Sequence, residues 1–328
     1  MKRVLGIVLL GVGVALAVFA AGLRFYVAPL AINIPYDLEP STTIAEARNA
    51  TYLGVSTGRP SVETGTLRSA TYVVPQPGLT RDELTGDLDG SAVVWDVYSQ
   101  IADTSSGNVI TASEQQIALD RKTGAYADWD GASVDGDSAS FTGHSYKLPF
   151  NAEQRAYPFW DDQLGEAVDI EFAAVEEVSG LQAYRYEQTI DETEIAYNPD
   201  TLALLRGAFG GSGDVFYSNT RTIWVEPVTG QFLDVREQPN LEFRPGRGDP
   251  VTLLSGDFSY TEQTKAEAAN TVSSNRDEIM LVNSTLPIGA GAGGLVLLII
   301  GVVLIATSGP RRSAGEPAAT PTGAVSVS

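Results

Sequence analysis

The chain has 328 residues, with 21 Lys or Arg against 41 Asp or Glu and a formal net charge of −20. Its 43% hydrophobic content supports a sizeable core and excludes a wholly disordered chain. The acidic balance argues against nucleic acid, where affinity comes from Lys and Arg on phosphates. The absence of cysteine excludes disulfides, thiolate metal sites and Cys nucleophiles, and the single histidine, His144, excludes a multi-histidine zinc site.

After Met1-Lys2-Arg3, residues 4–23 form an uncharged apolar run of 20 residues. A helix of that length rises about 30 Å, the thickness of a bilayer core. A cleaved signal peptide has a shorter apolar region, and Arg24-Phe25-Tyr26 supplies an interfacial anchor. Residues 4–23 are therefore expected to be an uncleaved transmembrane helix.

Residues 24–285 read as β-rich. Ser91–Tyr98, Ala167–Phe172 and Leu181–Tyr186 alternate with period two. Thr80–Leu84 is expected to form one short helix opened by a Thr cap, with Asp82 and Glu83 in its first turn. No helix longer than two turns is expected before residue 260. A hairpin motif recurs at Ile117–Tyr126 and Ile223–Phe232, with a degenerate third copy at Ile195–Leu204. In each, an acid or Asn opens a type I turn; in two, Pro presets φ, and in two, Gly takes the left-handed position. Residues 261–285 begin with good helix formers and predict a helical stalk.

A second apolar segment follows at 286–307, with Gly289, Gly291, Gly293 and Gly294 in its first half. Gly289-x-x-x-Gly293 has the small-xxx-small form. It fits a dimer seam, packing against the first helix, or simply a weakly helical start. Lys2 and Arg3 before the first span, and Arg311 and Arg312 after the second, place both ends in the cytoplasm by the positive-inside rule. The region 24–285 then lies outside, with 17 basic against 40 acidic residues. The tail 308–328 is rich in Ala, Pro, Thr and Ser and is expected to be disordered. The expected fold class is mainly β: an antiparallel, hairpin-rich extracytoplasmic domain with two terminal transmembrane α-helices.

Chemistry-bearing residues are sparse. His144 needs a nearby nucleophile and an orienting acid to be catalytic, and no nucleophile elbow is present; a hydrogen-bonded or exposed strand histidine is expected. Asp128, Asp130, Asp135 and Asp137 form the densest acid cluster, with Asp87 and Asp89 as another. Oxygen ligands with Gly at a turn suit calcium, but Asp and Gly are also ordinary turn residues, and the EF-hand spacing is absent. Asp161-Asp162 and Glu176-Glu177 are adjacent carboxylates, yet neighbours on a strand point to opposite faces, so neither pair suits glycoside hydrolysis. No cofactor is implied. Lys147, Phe150, Arg155, Tyr157, Phe159 and Trp160 make the most distinctive stretch. They could form a ligand surface, with aromatics on sugar or acyl groups and the two cations on phosphate, or the aromatics could plug the core.

Tyr146-Lys-x-Pro-Phe150 leading to Tyr157-Pro-Phe-Trp-Asp161, the Gly180-Leu-x-x-Tyr184-x-Tyr186 strand and the Trp224-Val-Glu-Pro-x-Thr-Gly230 hairpin stand between two terminal spans. Together they resemble the actinobacterial porin PorA family over roughly residues 2–307. That resemblance implies a two-span envelope protein with no established catalytic residues to carry over. It also implies an association with lipoglycan assembly in mycolic-acid bacteria. The layout is similar to class B scavenger receptors in architecture alone, since those depend on disulfides. The exterior strands read as short, acidic and interrupted by Gly and Asp, which conflicts with a membrane-spanning barrel needing strands of about 9–11 residues. Neither span carries a polar stripe to line a channel. The expected function is an inner-membrane envelope protein whose exterior binds or transfers a lipid or lipoglycan precursor. The alternatives are a non-catalytic scaffold for envelope-assembly proteins and, third, a pore.

Overall fold

The structure, a computed structural model, describes residues 1–56 and 59–308. Arg311, Arg312 and the tail after Ser308 lie outside the described residues. In chain order the helices are α1 (Lys2–Gly22), α2 (Ala28–Ala31), α3 (Pro77–Glu83), α4 (Pro199–Phe209), α5 (Glu262–Met280) and α6 (Leu286–Ala306). The chain divides into two compact units: Met1–Pro29 with the chain from Leu281 on, and Leu30–Met280.

In the first unit α1 and α6 are long and apolar enough to cross a membrane. They pack antiparallel. Gly6, Gly13 and Ala20 are buried on α1, and Pro287, Gly294 and Gly301 on α6. Seven-residue spacing puts each triplet on one helix face. A Cβ on Gly6 would come 2.9 Å from Gly301 O, and one on Gly13 would come 2.8 Å from Gly294 O. The backbones therefore touch, which is how helices gain packing energy in lipid. Gly289 and Gly293 meet nothing within 4 Å. The small-residue seam thus joins the two spans, but through other glycines than the Gly289-x-x-x-Gly293 spacing indicates.

The second unit holds one antiparallel sheet of 14 strands among the described residues. They are β1 (Ser41–Ser56), β2 (Arg59–Pro75), β3 (Ala92–Asp103), β4 (Val109–Asp120), β5 (Ser133–Val134), β6 (Asp137–Ser138), β7 (Tyr157–Asp161), β8 (Glu166–Val178), β9 (Leu181–Ile195), β10 (Gly213–Val225), β11 (Phe232–Glu237), β12 (Asn240–Pro245), β13 (Val251–Ser255) and β14 (Phe258–Tyr260). The main path is β6-β5-β4-β3-β2-β1-β13-β12-β10-β9-β8-β7. β11 continues the line of β12 along β10, and β14 continues that of β13 along β1. Pro239, which cannot donate to the ladder, lies in the break between β11 and β12.

Backbone bonds outside the named strands link the two sides. Ala127 N donates to Ala118 O on β4 at 2.8 Å, Tyr126 N to Gly143 O at 2.8 Å, and His144 N to Pro158 O on β7 at 2.9 Å. Trp160 N returns to His144 O at 2.8 Å. The sheet therefore closes on itself through residues 125–127 and 143–144.

Several sequence expectations are corrected. The strands are not short: β1 has 16 residues, β2 has 17 and β9 has 15. The helix near Thr80 starts earlier, at Pro77, and Thr80 is no cap; its buried Oγ1 accepts from Val94 N at 2.8 Å. The third hairpin copy is not a hairpin. Residues 199–209 form the 11-residue helix α4, longer than any helix expected before residue 260. The segment expected as a stalk is a docked helix over most of its length. Val272 of α5 is buried with Leu181, Ala183 and Leu233, and Lys265 pairs with Asp234 at 3.1 Å.

One turn recurs four times. At Asp103–Gly107, Asp120–Gly124, Asp161–Gly165 and Glu226–Gly230, the first carboxylate accepts from the backbone N–H groups two and three residues on. The glycine N–H returns to the first residue's carbonyl at 2.8–2.9 Å, with glycine φ between +67° and +74°. The chain then reverses into the next strand, because glycine alone enters the left-handed region freely. Asn198 begins identically, accepting from Asp200 N and Thr201 N at 3.0 Å. Its fifth residue is Leu202, so the chain stays right-handed and Asn198 becomes the N-cap of α4.

Candidate functional site

Lys147, Tyr157, Phe159 and Trp160 of the distinctive stretch lie in the interior of the β unit, whereas Glu153, Gln154 and Arg155 between them are exposed. Tyr157 and Phe159 are buried in one cluster with Leu148, Ile170, Tyr186 and Ile223. Trp160 is buried in another with Val93, Trp95, Ile117 and Phe141, and Phe150 packs against that cluster. Strand alternation on β7 divides them. Arg155 is exposed, lies 4.1 Å over the Tyr157 ring and bonds Glu153 at 3.0 Å. Lys147 is buried, its Nζ donating to Leu148 O at 2.7 Å and lying 3.8 Å over the Phe150 ring. Burial pushes its pKa down to about 7, with Asp120 pulling weakly the other way. Each cation thus faces its own aromatic ring.

His144 is also buried. Its Nδ1 donates to Pro158 O at 3.1 Å, which leaves Nε2 with the lone pair; that atom has no partner. Burial lowers its pKa, holding the ring neutral. Asp128, Asp130, Asp135 and Asp137 are all exposed. Asp135 and Gly136 both have positive φ and form the two-residue turn between β5 and β6, with Asp135 Oδ1 accepting from Glu114 N at 2.7 Å. Among the described residues no three His, Asp or Glu side chains gather as a metal site.

The strongest polar cluster was not visible as a motif. On β10 the buried positions alternate as Val215, Tyr217, Asn219, Arg221, Ile223 and Val225, so a polar trio interrupts an apolar row. Arg221 Nη2 meets Asp161 Oδ2 at 3.3 Å, Nη1 meets Gln188 Oε1 at 2.6 Å, and Nε pairs with Glu237. Tyr217 OH donates to the same Asp161 oxygen at 3.0 Å. Burial alone would lower the Arg221 pKa; Glu237 and Asp161 reverse this and raise it, so the cation is permanent. Asn219 is buried with both side-chain atoms unpartnered. Aligning the β10 period with its neighbours would have flagged this row. The arrangement fixes charge and register inside the β unit.

An open cleft of about 340 Å³ lies over β2–β4, lined by Tyr72, Tyr98, Gln100, Ser113, Glu114 and Asp135 among others. Its lining mixes the Tyr72 and Tyr98 rings and Ala112 with polar and acidic side chains.

The comparisons agree with this architecture. A family model described as Porin PorA matches residues 5–303. A protein named Porin PorA from Corynebacterium amycolatum is 24% identical, with 92% of this chain and 98% of that protein aligned. Another of the same name, from Corynebacterium resistens, is 22% identical over 93% and 97%. With a single family model matching most of both apolar helices and the whole β unit, the chain belongs to the porin PorA family.

Proposed function

We propose that the protein is a two-span cell-envelope protein with both ends cytoplasmic and residues 24–285 outside, whose exterior unit acts by non-catalytic contact with other envelope components. The observation that carries this reading is the division of surface chemistry. α1 and α6 expose Val4, Ile7, Val8, Leu295, Ile299 and Val302, whereas the strands expose Arg68, Glu114, Glu171 and Glu187. The helices suit hydrocarbon. A lipid-facing Arg near the bilayer midplane costs about 2–4 kcal/mol, so long strands with charged faces do not make a spanning wall.

The relatives' name brings a pore to this chain as a second reading. It takes the form of conduction by an assembly, because touching backbones close the helix pair and neither helix carries a charged stripe. A lipid precursor bound at residues 147–160 would have to displace core side chains.

Planar-bilayer recording of the purified full-length chain tests the reading. No conductance steps are expected at protein-to-lipid ratios where cross-linking finds monomers; steps from monomers overturn it. The chain has no cysteine, so single-cysteine labelling reports topology cleanly. Gln154→Cys is expected to react with an impermeant maleimide in intact cells and Lys2→Cys only after lysis. The reverse pattern overturns the orientation.

A further inference from the structure

Two π turns, Leu23–Val27 and Leu281–Thr285, meet in the helix pair. Both have the same local cause. Pro29 and Pro287 lack the N–H that would bond the carbonyl four residues back, and their rings crowd that carbonyl, on Phe25 and Asn283. Each helix absorbs the defect by widening one turn; on the first, Ala28 N–H bonds Leu23 O, five residues back. An open cleft of about 540 Å³ lies at this level.

Its lining is apolar at Ala20, Ala21, Phe25, Pro287 and Ile288 and polar at Arg24, Asn283 and Ser284. Arg24 Nη1 donates to Asn283 Oδ1 at 3.0 Å. The ion pairs formed by the described residues do not include Arg24. Most donors of its guanidinium fork are therefore open. Arg24 also follows directly on the apolar run 4–23, at the depth of lipid headgroups.

We propose that this cleft binds one anionic phospholipid of the surrounding membrane. Its phosphate takes the open fork of Arg24, with the Asn283 amide and the Ser284 hydroxyl as further donors. Its glycerol and first acyl carbons lie along Ala20, Ala21, Pro287 and Ile288. This rests on α1 and α6 crossing a membrane, and on neither the direction in which they cross nor the role of the exterior unit.

Native mass spectrometry of the full-length protein in mild detergent tests it, titrating dioleoyl phosphatidylglycerol, dioleoyl phosphatidylcholine and inorganic phosphate separately. One phosphatidylglycerol is expected to bind, several-fold tighter than phosphatidylcholine. Arg24→Gln is expected to weaken it at least tenfold, or about 1.4 kcal/mol, and Arg24→Lys less. Ala21→Trp, at an exposed position, fills the cleft and is expected to block binding while the circular dichroism of the helices stays unchanged. Equal binding of the two lipids, unchanged binding by Arg24→Gln, or displacement of the lipid by millimolar phosphate overturns the proposal.

Discussion

Lys147 lies beneath the Asp120–Gly124 turn, where a Cβ on Gly124 would collide with its side chain. Its ammonium is displaced from water without a carboxylate ion partner among the described residues, and burial brings its pKa from 10.5 to about 7. The folded state thus binds a proton less readily than the unfolded chain. Between about pH 10.5 and pH 7 the unfolded state is protonated and the folded state is not, so this contribution falls as pH falls and levels off below pH 7. Compared with Lys147→Met, the wild type should lose about 1.4 kcal/mol per pH unit across that window. Urea midpoints of both proteins from pH 6 to 10 check this, and parallel curves would refute it. The sequence showed a lysine among aromatics. Its burial depends on Gly124 and the turn after β4, and no local signal carries that.

At the scale of elements, turn chemistry was legible where the carboxylate and glycine stand four residues apart, as at Asp120–Gly124 and Glu226–Gly230. Asp103 and Asp161 obey the same rule and went unread. Asn198 misled because only its fifth residue separates a hairpin from a helix. Strand length was hidden by bulges. β1 shifts register between Ala47 and Ala50, and β8 between Phe172 and Ala174, so the period-two signal breaks mid-strand. The turns yield a paired prediction. At Gly230 a Cβ would strike the Leu148 and Pro149 carbonyls, whereas at Gly165 it would meet nothing within 4 Å; both have positive φ. Gly165→Ala should cost only the left-handed strain, about 1 kcal/mol. Gly230→Ala should cost about 3 kcal/mol or more, because backbone must move. Equilibrium unfolding of the two variants gives the comparison, and equal losses would refute the collision.

For the whole molecule the decisive contacts join residues far apart in sequence. Gly13 meets Gly294, and Asp161 meets Arg221. Gly13→Leu should separate α1 from α6 and lower the thermal midpoint of helical circular dichroism in detergent. Gly293→Leu, one residue from the seam, should leave it unchanged because its position is open. Equal effects would remove the seam as the basis of the hairpin. The same long reach closes the sheet, since His144 bonds β7, Gly143 bonds Tyr126, and Ala125 and Ala127 bond β4. Closure buries apolar positions such as Val93 and Val97 on β3, and leaves charged positions such as Glu171 on β8 and Glu187 on β9 outside.

By itself the sequence determined two apolar spans, a β-rich chain between them, the turns at Asp120–Gly124 and Glu226–Gly230 and its family resemblance. These depend on hydropathy over about 20 residues and on turn chemistry over five, both local properties. The tertiary structure alone decided which glycines form the seam, that Lys147 and His144 are buried, and that Arg221 has carboxylate partners 60 and 16 residues away. Burial and ion pairing follow from where distant strands come together, and strand register, set by bulges and closure, is not written in any single segment.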